Sequence, residues 1–128
     1  MTRFLLIVGA LSGAFAVAMA AAAAHALPAR LDARSLAMVN SAVQMQGWHA
    51  LALVLTAVWC LRAGPSALLL AHIAGLAFVA GILLFCGSIY LIVFAGVRLG
   101  PTAPTGGLCL MAGWVLLALS AVRAGPLP

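Results

Sequence analysis

The sequence predicts an all-α integral membrane protein: one domain, built as a four-helix transmembrane up-down bundle. Three observations carry the prediction. Hydrophobic residues make up 67% of the chain and charged residues 5%, against roughly 45–50% and about 25% in ordinary soluble domains. The apolar residues gather into runs at about 4–27, 43–62, 67–97 and 104–123, each long enough as a helix to cross a hydrocarbon core of roughly 30 Å. The arginines Arg3, Arg30, Arg34, Arg62, Arg98 and Arg123 stand at the breaks between runs, where long cationic side chains snorkel to the headgroups and anchor helix ends.

The first run, as a helix of about 36 Å, spans with length to spare. Its basic start and an A-x-A site, Ala18-Met19-Ala20, also fit a cleaved signal peptide, but the apolar core of such a peptide is only about 7–15 residues. A retained first helix is the expectation. It bears a stripe of small residues, Gly9, Gly13, Ala16, Ala20 and Ala24. Gly9 and Gly13 form the spacing that lets helices touch in lipid, and packing within the chain is expected there ahead of a dimer face.

Pro28 closes this helix, and an interfacial segment follows at 29–42. Asp32, the only acid in the chain, suits a helix N-cap: its carboxylate accepts a free amide N–H and meets the positive end of the helix dipole. From Ala33 to Leu61 a helix would run about 43 Å, longer than the core, so its first turns lie at the interface and the span begins near Val43. Gly47 marks a place for a bend. Ala63-Gly64-Pro65-Ser66 breaks the chain before the third run. Pro104 fits the first turn of the fourth helix, where a missing N–H is no loss, and a Gly-Pro tail ends the chain.

Short links between four spans force them to alternate in direction. Three arginines then fall on each side of the membrane, which leaves no positive-inside bias; the N-terminal amine tips the expectation toward N-in and C-in. The net charge of +5 is scattered rather than striped, so no nucleic-acid partner is expected. Cys60, Cys86 and Cys109 form no C-x-x-C pair; neither a metal site nor a disulfide framework is read, and they are expected to pack as small apolar residues. No cofactor is expected.

The polar stretch Gln44-Met45-Gln46-Gly47-Trp48-His49 runs into the second span, and polar groups carried into lipid must be paired or functional. Counting residues from the helix ends places His25, His49 and Tyr90 in one leaflet with the start of the fourth helix. The predicted cluster is His25, Gln46, His49, Ser88 and Tyr90, with Trp48 at the interface. Gln46 and His49, three apart, share a helix face. Such a cluster fits a hydrogen-bonded network fixing helix register, a pocket for a lipid or quinone, a proton path, or a metal or haem site, in that order. No acid stands inside a span to drive proton-coupled export or to orient an imidazole beside Ser88. His72 stands apart near the opposite face.

The motifs Ala24-His25-Ala26-Leu27, Gln46-Gly47-Trp48-His49-Ala50-Leu51, Leu84-Phe85-Cys86-Gly87-Ser88-Ile89-Tyr90 and Pro104-Thr105-Gly106-Gly107 with Gly113-Trp114 resemble, in order and spacing, the YgdD-like small membrane proteins, domain-of-unknown-function family 423. The resemblance covers nearly the whole chain. Departures are Ala20 and Ala23 in place of glycine, which loosen or shift close packing of the first helix, and Met45 in place of tyrosine and Cys86 in place of serine, which shrink the polar cluster. The resemblance implies a four-helix protein of the bacterial inner membrane and brings no reaction, substrate or cofactor.

The expected function is therefore non-enzymatic: a structural or accessory membrane module in contact with membrane lipids, packed against a larger complex or in a homo-oligomer. Gly9, Gly13, Gly106 and Gly107 are its helix-packing residues. A binding protein for a lipid-like or quinone-like molecule around His49 is the alternative, and a small transporter the third.

Overall fold

In the computed structural model, which describes residues 1–124, four helices account for most of the chain. Helix α1 spans Thr2–His25 and is followed by a single 3-10 turn at Leu27–Ala29, where Pro28 stops the α-helical ladder. Helix α2 spans Ala33–Cys60, α3 Pro65–Ala95 and α4 Thr102–Arg123. Neighbouring helices alternate in direction. The start of α1 lies beside the second half of α2, at Leu53, and the start of α4 beside the last third of α3, at Phe85.

The caps explain the boundaries. Asp32 takes the Ser35 N–H on Oδ1 at 2.7 Å and caps α2. Hydrogen bonds from the Ser35 backbone and then its side chain hold the Asp32 carboxyl below the usual carboxylate range. A carboxyl depressed in the folded state stabilises above its unfolded pKa, and that contribution fades as pH falls through the lower folded value. The protection factor of the Ser35 amide, its exchange rate referred to that of an unstructured amide at the same pH, is therefore expected to fall on acidification through that range, while Asp32→Asn, still a competent cap, is expected to show no such step. At the other end of the chain, Gly96 adopts φ +67°, which lets the Val97 N–H turn back onto the Leu91 carbonyl and closes α3 two residues before the expected limit. Helix α4 begins two residues early, at Thr102, and Pro104 stays in its first turn.

Helix α2 continues unbroken through Gly47; glycine removes a side chain but no hydrogen bond from the ladder. Helices α1, α3 and α4 are long and apolar enough to cross a membrane. Helix α2 is not among them, because Asn40, Gln44, Gln46 and His49 dilute its apolar character.

Glycines set the helix spacings. A Cβ on Gly9 would lie 3.0 Å from the Ala50 carbonyl, Leu53 Cβ and Val54 Cγ2 of α2. One on Gly106 would overlap the Phe85 backbone nitrogen of α3. Helix α3 supplies the complementary hollows: Leu5 of α1 sits on Gly75 and Leu110 of α4 on Gly81, while Phe78 of α3 occupies the space over Gly113 of α4. All three inserted side chains are fully or almost fully buried. Between helices in lipid this fit replaces the hydrophobic drive, since acyl chains are as apolar as leucine.

Two of the four expected packing glycines behave differently. A Cβ on Gly13 would make only ordinary contact with Ala50 Cβ, at 3.7 Å, and one on Gly107 would come no closer than 4.0 Å to the Phe85 ring. Consecutive helical residues point to different faces, so of Gly106 and Gly107 only the first meets α3. On the α1 stripe, Ala16 is buried while Ala20 and Ala24 are exposed.

Candidate functional site: polar ties between helices

The three-residue spacing of Gln46 and His49 puts both inside the helix assembly, 5% and 3% exposed. They do not join one cluster. Each ties α2 to different neighbours.

His49 is bonded at both ring nitrogens. Nε2 lies 3.1 Å from Trp114 Nε1 of α4, and Nδ1 2.7 Å from the Met45 carbonyl one turn back. An indole N–H only donates, so Nε2 accepts and Nδ1 carries the hydrogen donated to Met45. Around this pair, His49, Phe78 and Trp114 form a three-ring cluster across α2, α3 and α4, with centroids 5.2–6.0 Å apart. Phe78 enters it because Gly113 leaves room.

Gln46 faces the other way. Its amide nitrogen lies 3.3 Å from both the carbonyl and the hydroxyl of Ser12 on α1, and its Oε1 accepts from the Tyr90 hydroxyl of α3 at 2.9 Å. Phe15 of α1 meets the Tyr90 ring edge-on at 5.8 Å. One amide thus joins three helices.

A third tie lies near the opposite end. Trp59 of α2 donates to the Ser120 hydroxyl at 2.9 Å, and Ser120 in turn donates to the Ala67 carbonyl of α3 at 2.8 Å. The buried Cys86 thiol adds a contact from α3 to the Ala42 carbonyl of α2, 3.4 Å away. A deeply buried residue with little room, it packs as a small side chain.

Two predicted members stand outside these ties. His25 is exposed at the end of α1; Ala16 and Ala23 mark the face of α1 turned inward, and two residues on from Ala23 the helix points nearly opposite. Ser88 is buried, but its hydroxyl bonds back to the Phe85 carbonyl at 3.0 Å, the self-satisfying habit of a helical serine. Trp48 is 59% exposed and joins none of the ties.

Ser12, Trp59, Trp114 and Ser120 were not in the predicted cluster. Depth counting had the signal for two of them: Trp59 and Ser120 each lie three residues before an arginine at the same end of the chain's helices, and Ala67 lies in the first turn of α3 there. Ser12 and Trp114 depend on helix rotation, which counting does not supply.

Two open apolar grooves of about 530 Å³ each flank the assembly. One runs between α1 and α2 along Gly13, Ala14, Val17, Gly47 and Leu51. The other lies between α1 and α3, lined by Phe4, Leu11, Phe15, Val79 and Leu83, with Ser12 and Gln46 also on its wall. His49 lines neither.

Three long apolar helices, tied to α2 through Gln46, His49 and Trp59, define a small all-helical membrane protein. The chain belongs to the DUF423 family, described as a protein of unknown function, whose model matches residues 19–107. It is 34% identical over 116 residues to a UPF0382 membrane protein of Haemophilus influenzae, covering 90% of both chains. It is 31% identical to the UPF0382 inner membrane protein YgdD of Escherichia coli K12, covering 95% of this chain and 92% of YgdD. With the UPF0382 membrane protein YwdK of Bacillus subtilis it shares 30% identity over 94% of this chain and 98% of YwdK. No solved structure matches the chain. The protein is thus an integral membrane protein of unknown activity, as its relatives are.

Proposed function

We propose that the protein is a four-span module of the inner membrane, with both termini on the cytoplasmic side, that serves a structural or accessory role against a larger membrane complex or a second copy of itself. In this reading α2 is the fourth span, and α1, α3 and α4 satisfy the polar side chains it carries into lipid. The observation that supports it most is His49: buried, with both nitrogens bonded, it has no lone pair or N–H to offer a ligand or a reaction. The reading is also non-enzymatic, since Asp32, the sole acid, is committed to the α2 cap rather than placed beside an imidazole.

Purification in a gentle detergent followed by native mass spectrometry tests this directly. The expected result is a stoichiometric protein partner or a defined oligomer. Cysteines placed at Arg30 and Arg62 in a background without native cysteines are expected to react from opposite sides of the membrane, as a spanning α2 requires. Labelling of both from one side would remove the four-span reading.

The groove between α1 and α3 favours a second reading, binding of a lipid-like or quinone-like molecule. Its wall is apolar save for Ser12 and Gln46, which suits a greasy molecule with one hydrogen-bonding group. A monomer retaining one small molecule, lost in Gln46→Leu, would replace the first reading with this one.

A further inference from the structure

The ends of α2 and α3 that meet near the 3-10 turn hold a groove unlike the other two. Its lining is Asp32, Arg34, Ser35, Met38, Ile92 and Arg98, with Gly100, and it encloses about 660 Å³ of open space. Both signs of charge share it. Arg34 acts on the Asp32 carboxyl through its charge, without a close ion pair among the described residues, and Asp32 Oδ1 is occupied by the Ser35 amide.

The level of the groove follows from α3, which is long and apolar enough to span. Its 31 residues reach about 46 Å, beyond a core of roughly 30 Å, so with the helix centred on the core its last turn stands at headgroup depth. Ile92 lies in that last turn and Arg98 just past it. Met38 and Ile92 are thus the apolar floor toward the acyl region, and the charges form the rim toward water.

We propose that this groove seats the headgroup of a phospholipid bearing a primary ammonium. Arg34 and Arg98 face its phosphate, Asp32 faces the ammonium, and the first acyl carbons lie along Met38 and Ile92. Guanidinium suits phosphate because its forked donors match two oxygens at once. Two arginines without an acid would favour any anionic lipid, whereas Asp32 repels a headgroup with net negative charge and attracts one that adds a hydrogen-bonding cation. A quaternary ammonium has no N–H to give the carboxylate and fits less well. The placement depends on α3 alone and stands whether or not α2 spans.

The test is native mass spectrometry of the whole protein released from vesicles of equal parts phosphatidylethanolamine, phosphatidylcholine and phosphatidylglycerol. The expected result is phosphatidylethanolamine retained over each competitor by about two- to fivefold, the effect of one exposed charge pair. Asp32→Asn keeps a good N-cap and is expected to shift retention toward phosphatidylglycerol. Arg34→Gln with Arg98→Gln is expected to lower retention of all three. Equal retention by the wild type, or an unchanged order in Asp32→Asn, would overturn the assignment. So would displacement of every lipid by millimolar inorganic phosphate, which would give the groove to a soluble anion. Loss of the oligomer or partner in the purification above would leave these ratios unaffected, so the two readings fail separately.

Discussion

Gly106→Ala is expected to destabilise the protein by about 3 kcal/mol, at the upper end of what overpacking usually costs. The added methyl has nowhere to go. It would overlap the Phe85 backbone nitrogen and lie 2.9 Å from Leu84 C and Phe85 Cα, and backbone cannot rotate aside as a side chain does. Helices α3 and α4, the most extensively packed pair in the molecule, would have to separate, which would also loosen Leu110 from Gly81 and Phe78 from Gly113. The sign makes the prediction sharp, because alanine for glycine in an open helical position stabilises by roughly 1 kcal/mol. Gly107→Ala and Gly87→Ala, with no close neighbour, are therefore expected to be neutral or stabilising. Reversible unfolding in mixed micelles reads all three. Equal effects at Gly106 and Gly107 would mean that α4 does not meet α3 at Phe85.

The helices and the Asp32 cap are legible in the sequence because they rest on local chemistry: long apolar runs, Pro28 and Gly64-Pro65 at the breaks, and an acid at the N-cap of α2. The membrane class follows from the same composition, and the relatives carry it. Much less is legible about which face of each helix points inward. A soluble helix shows its inner face by contrast with a polar one, but α3 has no polar face opposite an apolar one, since lipid and protein interior are alike to its side chains. Gly75 and Gly81 of α3 consequently look no different in sequence from Gly87, although the first two receive Leu5 and Leu110 and the third meets nothing.

The same limit divides the polar residues. On α2 the pair Gln46 and His49 announces an inward face, because lipid would not accept them unpaired, and both are buried. Their partners are less visible. Ser12 can satisfy itself along its own helix, and Trp114 can lie exposed to lipid, so neither residue type demands an inward orientation. Histidine at a helix end carries no demand either, and His25 faces out. Depth, which residue counting supplies, brings Gln46 and Tyr90 to the same level. Rotation, which it does not supply, separates Ser88 from Tyr90 and His25 from Ala23.

The His49–Trp114 pair gives the second large effect and the one that separates a structural histidine from a working one. His49→Leu leaves the half-buried Trp114 N–H without its acceptor and loosens the ring contacts with Phe78, an expected loss of about 2 kcal/mol for the orphaned donor and the lost contacts together. Trp114→Phe keeps an aromatic ring beside Phe78 while removing the donor and part of the indole, an expected loss of about 1 kcal/mol from the hydrogen bond. In the double variant neither orphan remains. Its loss is expected to fall short of the sum by about 1 kcal/mol, as hydrogen-bonded pairs between membrane helices do at the stronger end of their range. Nitrogen NMR of the imidazole supplies an independent check, with the proton expected on Nδ1, because Trp114 can only donate to Nε2. Strict additivity would show that the bond contributes nothing to stability. If the double variant regained stability yet lost a bound partner or ligand that Trp114→Phe retains, His49 would have a role beyond joining α2 to α4.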